Sequence, residues 1–348
     1  MPNPMELFGA LLSGTVPSRV PLSINLLDQG AVELQMTTEQ YYSRAEHVVQ
    51  GQTALQKKFK GDVLWGTHYI ARQAEMLGSK RTVYPACGAP NVGRLVIQSY
   101  RDIESLRIPD DLEDHPAMAV QLDTIKRLVE YAGGEIPVFA FQTGTFTLPI
   151  ILMGIDAWFE LLLTGPADLV EELLTKCSEL SVKTFNAYKN AGAAMMVYAN
   201  PGMSTDFFPI ELLKEKALRL LVTDVEQMGT AQLVYFCGGN RIGPVLPMIL
   251  ESTDIGAFYL HPEDDVAEAK KTVAGRALIA GAVNDILLAR WTPAQIHQEV
   301  KRIMEQGAPG GGFIFGTLMM PCSIPAQNIH TLVEAAHRYG AYPQVEAG

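Results

Sequence analysis

Seven short apolar runs, each bounded by Gly, Pro, Asn or Asp, punctuate the chain at residues 62–66, 137–142, 195–200, 232–237, 257–260, 277–283 and 312–315. Runs of that length between turn formers predict buried strands. Between most of them the apolar positions recur at the spacing of an amphipathic helix. Residues 167–188 carry the clearest stripe, Leu169, Val170, Leu173, Leu174, Cys177, Leu180 and Phe185, which makes Cys177 a core residue. A second helix starts at Thr292, with Pro293 in its first turn and Gln295 completing a capping box. Its residues Ile296, Val300 and Ile303 face inward, His297 falls on the polar side and Gly307 ends it. The last helix, 328–339, buries Ile329, Leu332, Val333 and Ala336, leaves His330 and His337 outside and stops at Gly340. Residues 81–98 interrupt this order. There Val83 and Leu95 to Ile97 flank the turn-rich Pro-Ala-Cys-Gly-Ala-Pro, predicting an antiparallel excursion with Cys87 in its turn, away from the barrel mouth.

Nearly continuous apolar strands, each followed by a helix, require a parallel sheet covered by helices. Seven or eight such units predict a (β/α)8 TIM-type barrel in preference to an open doubly wound sheet. No linker, charge block or fixed-period repeat divides the chain, so residues 1–348 read as one barrel domain with an N-terminal extension and the 81–98 excursion.

Composition then narrows the function. With 27 basic and 38 acidic residues the formal charge is −11, and no cluster of Lys or Arg offers a surface for nucleic acid or an anionic membrane. No apolar stretch reaches membrane-span length, and the first cation is Arg19, so neither a span nor a secretory leader is expected. Four dispersed cysteines are too few for a disulfide scaffold and suit a reducing cytoplasm, the expected location. Each is then a core residue or a thiolate with a task.

In a barrel of this type, chemistry gathers at the strand ends. Those ends carry His68, then Gln142 and Thr143, Asn200, Tyr235 with Cys237 and Asn240, His261, Asn284 and, in the last loop, Cys322. Two thiols and an imidazole suggest zinc, with Cys237, His261 and Cys322 as its ligands. Tyr235, His68 and His261 are the candidate acids. A second reading stays open for each: Cys237 as a small apolar strand end, the histidines bonded to carbonyls, Tyr235 as a core ring. Apolar residues near the mouth, including Trp65, Phe141, Phe207, Phe236, Met319 and Met320, suit an aromatic ring in a dry pocket.

Several stretches together resemble the uroporphyrinogen decarboxylase superfamily, and within it the corrinoid-dependent methyltransferases. They are Gly144-Thr-Phe-Thr-Leu with Met153-Gly-Ile-Asp, Ala191-Gly-Ala-Ala, Asn200-Pro-Gly-Met-Ser, Val234-Tyr-Phe-Cys-Gly, Gly281-Ala-Val-Asn and Pro325-Ala-Gln-Asn-Ile-His-Thr-Leu-Val-Glu-Ala-Ala. The decarboxylases grip their substrate's carboxylates with an arginine-rich N-terminal segment, but here no arginine occurs between Arg19 and Arg44. The branch that methylates coenzyme M holds zinc through His-x-Cys and a cysteine after the last strand. Cys237 matches the first cysteine, whereas Tyr235 stands at the histidine position and Leu318 near the last cysteine's place, four residues before Cys322.

The resemblance implies the methyltransferase I component of an O-demethylase. Such an enzyme moves a methyl group from a small donor, often an aromatic methyl ether, to cob(I)alamin on a partner corrinoid protein. Tyr235, His68 and His261 would then serve catalysis, with Asn200, Asn240, Asn284, Gln142, Phe207 and Met320 around the substrate. A corrinoid carried by the partner is the expected cofactor, zinc is allowed, and so is a homodimer. The alternatives are a methylcobalamin-to-thiol methyltransferase, a uroporphyrinogen decarboxylase and a non-catalytic tetrapyrrole-binding module.

Overall fold

In the computed structural model, which describes residues 3–67 and 69–342, the apolar runs become parallel strands of one sheet. The strands are β1 (Leu22–Asn25), β2 (Leu64–Thr67), β5 (Val138–Thr143), β6 (Met195–Ala199), β7 (Leu233–Phe236), β8 (Ala257–Tyr259), β9 (Leu278–Val283) and β10 (Phe313–Met319); β3 (Thr82–Val83) and β4 (Asn91–Val92) form a separate antiparallel hairpin. Their order, β1-β10-β9-β8-β7-β6-β5-β2, with helices between them, gives a nearly closed (β/α)8 barrel.

The seam lies between β1 and β2, and Asp62 spans it. The Leu22 N–H donates to its carboxylate at 2.8 Å, while its own N–H donates to the Leu22 carbonyl at 3.0 Å. Arg19 grips the same carboxylate with both terminal nitrogens, at 2.5 and 2.7 Å. Removing the Asp62 carboxylate leaves the partly exposed Arg19 and the buried Leu22 N–H without their acceptor, at a cost of about 1.5–3 kcal/mol. Asp62→Ala is therefore expected to lower the unfolding free energy measured by urea titration by that amount, and Asp62→Asn by less, because the amide still accepts from Leu22.

Side chains alternate across each strand. Trp65, Phe139, Val197, Val234, Tyr259, Ala280 and Ile314 form one buried cluster inside the barrel. Their neighbours Ala140, Met196, Tyr198, Leu233, Tyr235, Phe258 and Ile279 join a second cluster shared with the apolar faces of the surrounding helices. The helix Pro4–Leu12, started by an Asn3/Glu6 capping box, sends Phe8 and Leu11 into the interior cluster, with Phe8 edge-on to Phe139 at 5.6 Å. This N-terminal extension closes the barrel floor and leaves the opposite end for a ligand.

The helices Ala167–Asn190, Pro293–Gly307 and Ala326–Tyr339 occupy the expected segments, with the Thr292/Gln295 capping box formed. Three features depart from expectation. Strand β1 was not anticipated, because Ser23 and Asn25 interrupt its apolar run. The second hairpin strand is Asn91–Val92 and not residues 95–97. His297 is not simply solvated: its ring stands edge-on to Tyr339 at 5.9 Å, with Nδ1 buried. Among the described residues no helix is long and apolar enough to cross a membrane.

Candidate active site

A cavity of about 420 Å³ opens among the C-terminal ends of the barrel strands. The interior-facing set of side chains lines it, Trp65 on β2, Phe141 and Thr143 on β5, Val197 and Ala199 on β6, Phe236 on β7, Tyr259 on β8 and Leu318 on β10, joined at the end of β10 by Thr317 and Met319. Asn25, Ile70, Thr147, Ile151, Pro201, Asp285, Ile286 and Pro321 complete the wall from loops and helix starts. Aromatic and aliphatic surface therefore dominates, and among the described residues the one charged group on the wall is Asp285.

The polar groups here are mostly committed. The Tyr259 hydroxyl donates to the Thr317 carbonyl at 2.6 Å, and the Asn25 N–H donates to the Thr317 hydroxyl at 2.9 Å. Thr147 donates to the Asn200 side chain and accepts from the Gly202 N–H, both at 2.9 Å. Asp285 opens the short helix Asp285–Leu288, which Asn284 caps by accepting from the Leu287 N–H at 2.9 Å. Asp285 is 4% exposed, and among the described residues the backbone N–H groups of Asp285 and Ile286 are what stabilises its charge. Loss of water outweighs those two bonds, and its pKa rises to about 6.

Of the polar strand-end residues singled out in sequence, Thr143 lines this cavity and the other described ones do not. His68 lies outside the described residues. Gln142, Asn200, Tyr235 and Cys237 follow the outward parity of their strands. Gln142 donates to the Ser181 carbonyl and hydroxyl at 3.2 Å, and Tyr235 is fully buried beside Tyr198 and Phe258. Burial pushes the Tyr235 hydroxyl and the Cys237 thiol well above their usual pKa ranges. Asn240 ties its loop to the Pro201 carbonyl, and Asn284 acts as the helix cap. His261 accepts from the Glu263 N–H in its own turn, Phe207 packs on Phe159 at the surface, and Met320 sits in the core.

The cysteines require a correction. Cys322 is bonded to Cys87 in a disulfide, with Cα atoms 5.8 Å apart. The hairpin β3–β4 is tied back beside the mouth, through the Ala71 N–H to Pro90 O and the Tyr69 to Tyr84 hydroxyl contact, and this brings Cys87 to the loop after β10. Cys322 is thus no free thiolate, and Cys237 is sealed in the core. The proposed zinc donors do not fit a metal: among the described residues no group of three or more His, Cys, Asp or Glu side chains is placed to hold one.

Trp65, Phe141, Phe236 and Met319, expected near the mouth, are on the wall, whereas Phe207 and Met320 are not. Asp285 went unnoticed in sequence. An acidic residue directly after a cap residue is ordinary helix-start chemistry, which hides it.

The family model for uroporphyrinogen decarboxylase (URO-D) matches residues 3–339. The chain belongs to the uroporphyrinogen decarboxylase family. Within and around that family, a methylcobamide:CoM methyltransferase MtbA from Methanosarcina acetivorans is 25% identical over 277 residues, 78% of each chain. A uroporphyrinogen decarboxylase from Geobacter metallireducens is also 25% identical, covering 70% of this chain and 71% of that one. Among solved structures, a methyltransferase from Methanosarcina mazei superposes with a TM-score of 0.86 at 18% identity, over 97% of this chain and 99% of that one. At that identity the superposition establishes the shared URO-D barrel and nothing finer.

Proposed function

We propose that this URO-D family member is a corrinoid-dependent methyltransferase that takes a methyl group from a small neutral donor, an aromatic methyl ether, and passes it to a reduced corrinoid held by a separate protein. The observation that carries the reading is the cavity wall: four aromatic rings, a single carboxyl and, among the described residues, no cation. Its sequence similarity to a methylcobamide:CoM methyltransferase supports methyl transfer as the reaction class.

A reduced corrinoid supplies a strong cobalt nucleophile, so the donor must be held with its methyl group toward the mouth and its oxygen prepared to leave. Trp65, Phe141, Phe236 and Tyr259 offer flat apolar surface for an aromatic ring. The floor built on Phe8 and Phe139 keeps water from entering below. Positioning of this kind converts encounter into near-attack geometry.

Two other family chemistries find less support. Uroporphyrinogen carries eight carboxylates and would meet a wall whose only charge among the described residues is negative. A coenzyme M-type acceptor, suggested by the names of the relatives, brings a sulfonate to that same wall and a thiol to a site where no donor set converges among the described residues.

The test is methyl transfer to free cob(I)alamin, followed in the visible spectrum, with anisole, 2-methoxyphenol, trimethylamine and methylcobalamin plus coenzyme M supplied separately. The expected result is cobalt methylation from the ethers. Decarboxylation of uroporphyrinogen with no methylation from any ether would sink the reading, and thiol methylation alone would replace it with the coenzyme M type.

A further inference from the structure

We propose that Asp285 gives its proton to the ether oxygen as the methyl–oxygen bond breaks, an assignment that rests on the methyl ether reading. An ether is a poor leaving group because the departing oxygen would carry a full negative charge in a dry site, so a proton must arrive during the step. Asp285 lines the cavity, is buried as a residue, and its carboxyl meets no side-chain donor or cation among the described residues. The Tyr259 hydroxyl is spent on the Thr317 carbonyl, and Thr317, which accepts from the Asn25 N–H, has only a weakly acidic hydroxyl to offer.

The step balances without a further reagent. The methyl carbon leaves oxygen and bonds to the reduced cobalt of the partner's corrinoid, whose electron pair forms the new bond. The pair of the broken carbon–oxygen bond stays on oxygen and takes up the carboxyl proton. The products are a phenol, the methylated corrinoid and the Asp285 carboxylate, which solvent reprotonates once the product leaves.

The groups that face this carboxyl are few. From β8 comes Tyr259, whose hydroxyl is raised by burial and further by the Asp285 charge. Strand β10, on which the short helix packs, contributes Thr317, and β1 contributes Asn25, neither of which titrates. The helix itself adds the N–H groups of Asp285 and Ile286. Among the described residues nothing holds the carboxyl ionised as an ion pair would, and its pKa of about 6 leaves a working fraction protonated at neutral pH.

The experiment uses the full chain, free cob(I)alamin as acceptor, and two donors: anisole, which needs a proton, and 4-nitroanisole, whose phenoxide is stable without one. For the wild type, the anisole rate is expected to fall about tenfold per pH unit above pH 6 while the 4-nitroanisole rate stays flat. Asp285→Asn is expected to lose about 100-fold with anisole and little with 4-nitroanisole. Its thermal melt at pH 8 should equal or exceed the wild type's, since a buried ionised carboxylate has been removed. Equal losses on both donors, or an anisole rate indifferent to pH from about 5 to 8, would overturn the assignment. A wild type inert toward every ether overturns the demethylation reading and this assignment with it. The two failures are distinguishable because only the first leaves an active wild type, and the wild-type pH profile decides even if the variant does not fold.

Discussion

Replacing Ala199 with Phe is expected to lower kcat/KM for an aromatic methyl ether by about 100-fold or more while leaving the unfolding transition almost unchanged. Ala199 ends β6 with its methyl group on the cavity wall, paired in register with Thr143 on one side and Phe236 on the other. A benzyl group there would stand in the space assigned to the donor ring, between the two strands that supply Phe141 and Phe236. The backbone of β6 is held by ladders to both neighbours, and the added ring would displace cavity space and not core atoms. The measurement is kcat/KM across a series of donors of increasing size, with Ala199→Ser as the control. A loss shared equally by the smallest donor, methanol, and by 2-methoxyphenol would argue against a cavity that holds the ring.

Asp224→Ala is expected to be among the most destabilising single changes, at about 3–5 kcal/mol, lowering Tm by on the order of 10 °C. Asp224 is fully buried between the sheet and the helices, where its carboxylate accepts from three hydroxyls: Thr145, Ser178 and Tyr198, the last at 2.8 Å. These join the loop after β5, the helix Ala167–Asn190 and β6 to the helix Arg219–Met228 that carries the aspartate. Alanine leaves three buried donors with no acceptor, which costs more than the missing bonds themselves. Burial raises the Asp224 pKa, with its three hydrogen bonds opposing the rise. A raised folded-state pKa means that the aspartate's contribution is fullest below its unfolded value and fades as pH rises through the folded one. The wild-type minus Asp224→Ala difference in unfolding free energy, measured by denaturant titration, should therefore shrink from acid toward neutral pH. A constant difference, or a drop in Tm of only a degree or two, would show that the network contributes little.

Seven of the eight barrel strands and the three principal helices were legible in the residue pattern, because continuous apolar runs and a 3.6-residue stripe are direct consequences of burial. Strand β1 was not, since its polar Ser23 and Asn25 alternate with apolar neighbours in a chain where other strands are apolar on both faces. That same two-sided burial explains why the candidate site was harder to see than the fold. When both parities of a strand are buried, composition does not reveal which one faces the barrel interior. Gln142, Asn200 and Tyr235 were chosen for their polarity at strand ends, and that polarity serves contacts with helices and loops. Phe141, Ala199 and Phe236, one position away, are the residues that meet the cavity. The Cys87–Cys322 bond was equally hidden, its partners lying 235 residues apart and meeting only because the hairpin folds back to the mouth.

The alternation along β6 has a consequence for how such a barrel diversifies. Met196, Tyr198 and Asn200 look outward and anchor the helical shell, while Val197 and Ala199 look inward and shape the chamber. Two separate tasks thus share neighbouring positions of one strand and its end, one holding the architecture and the other shaping the space for a ligand. Mutations on the inner register can retune what the chamber admits without touching the outer register that keeps the walls standing, so neighbouring codons can evolve at different speeds.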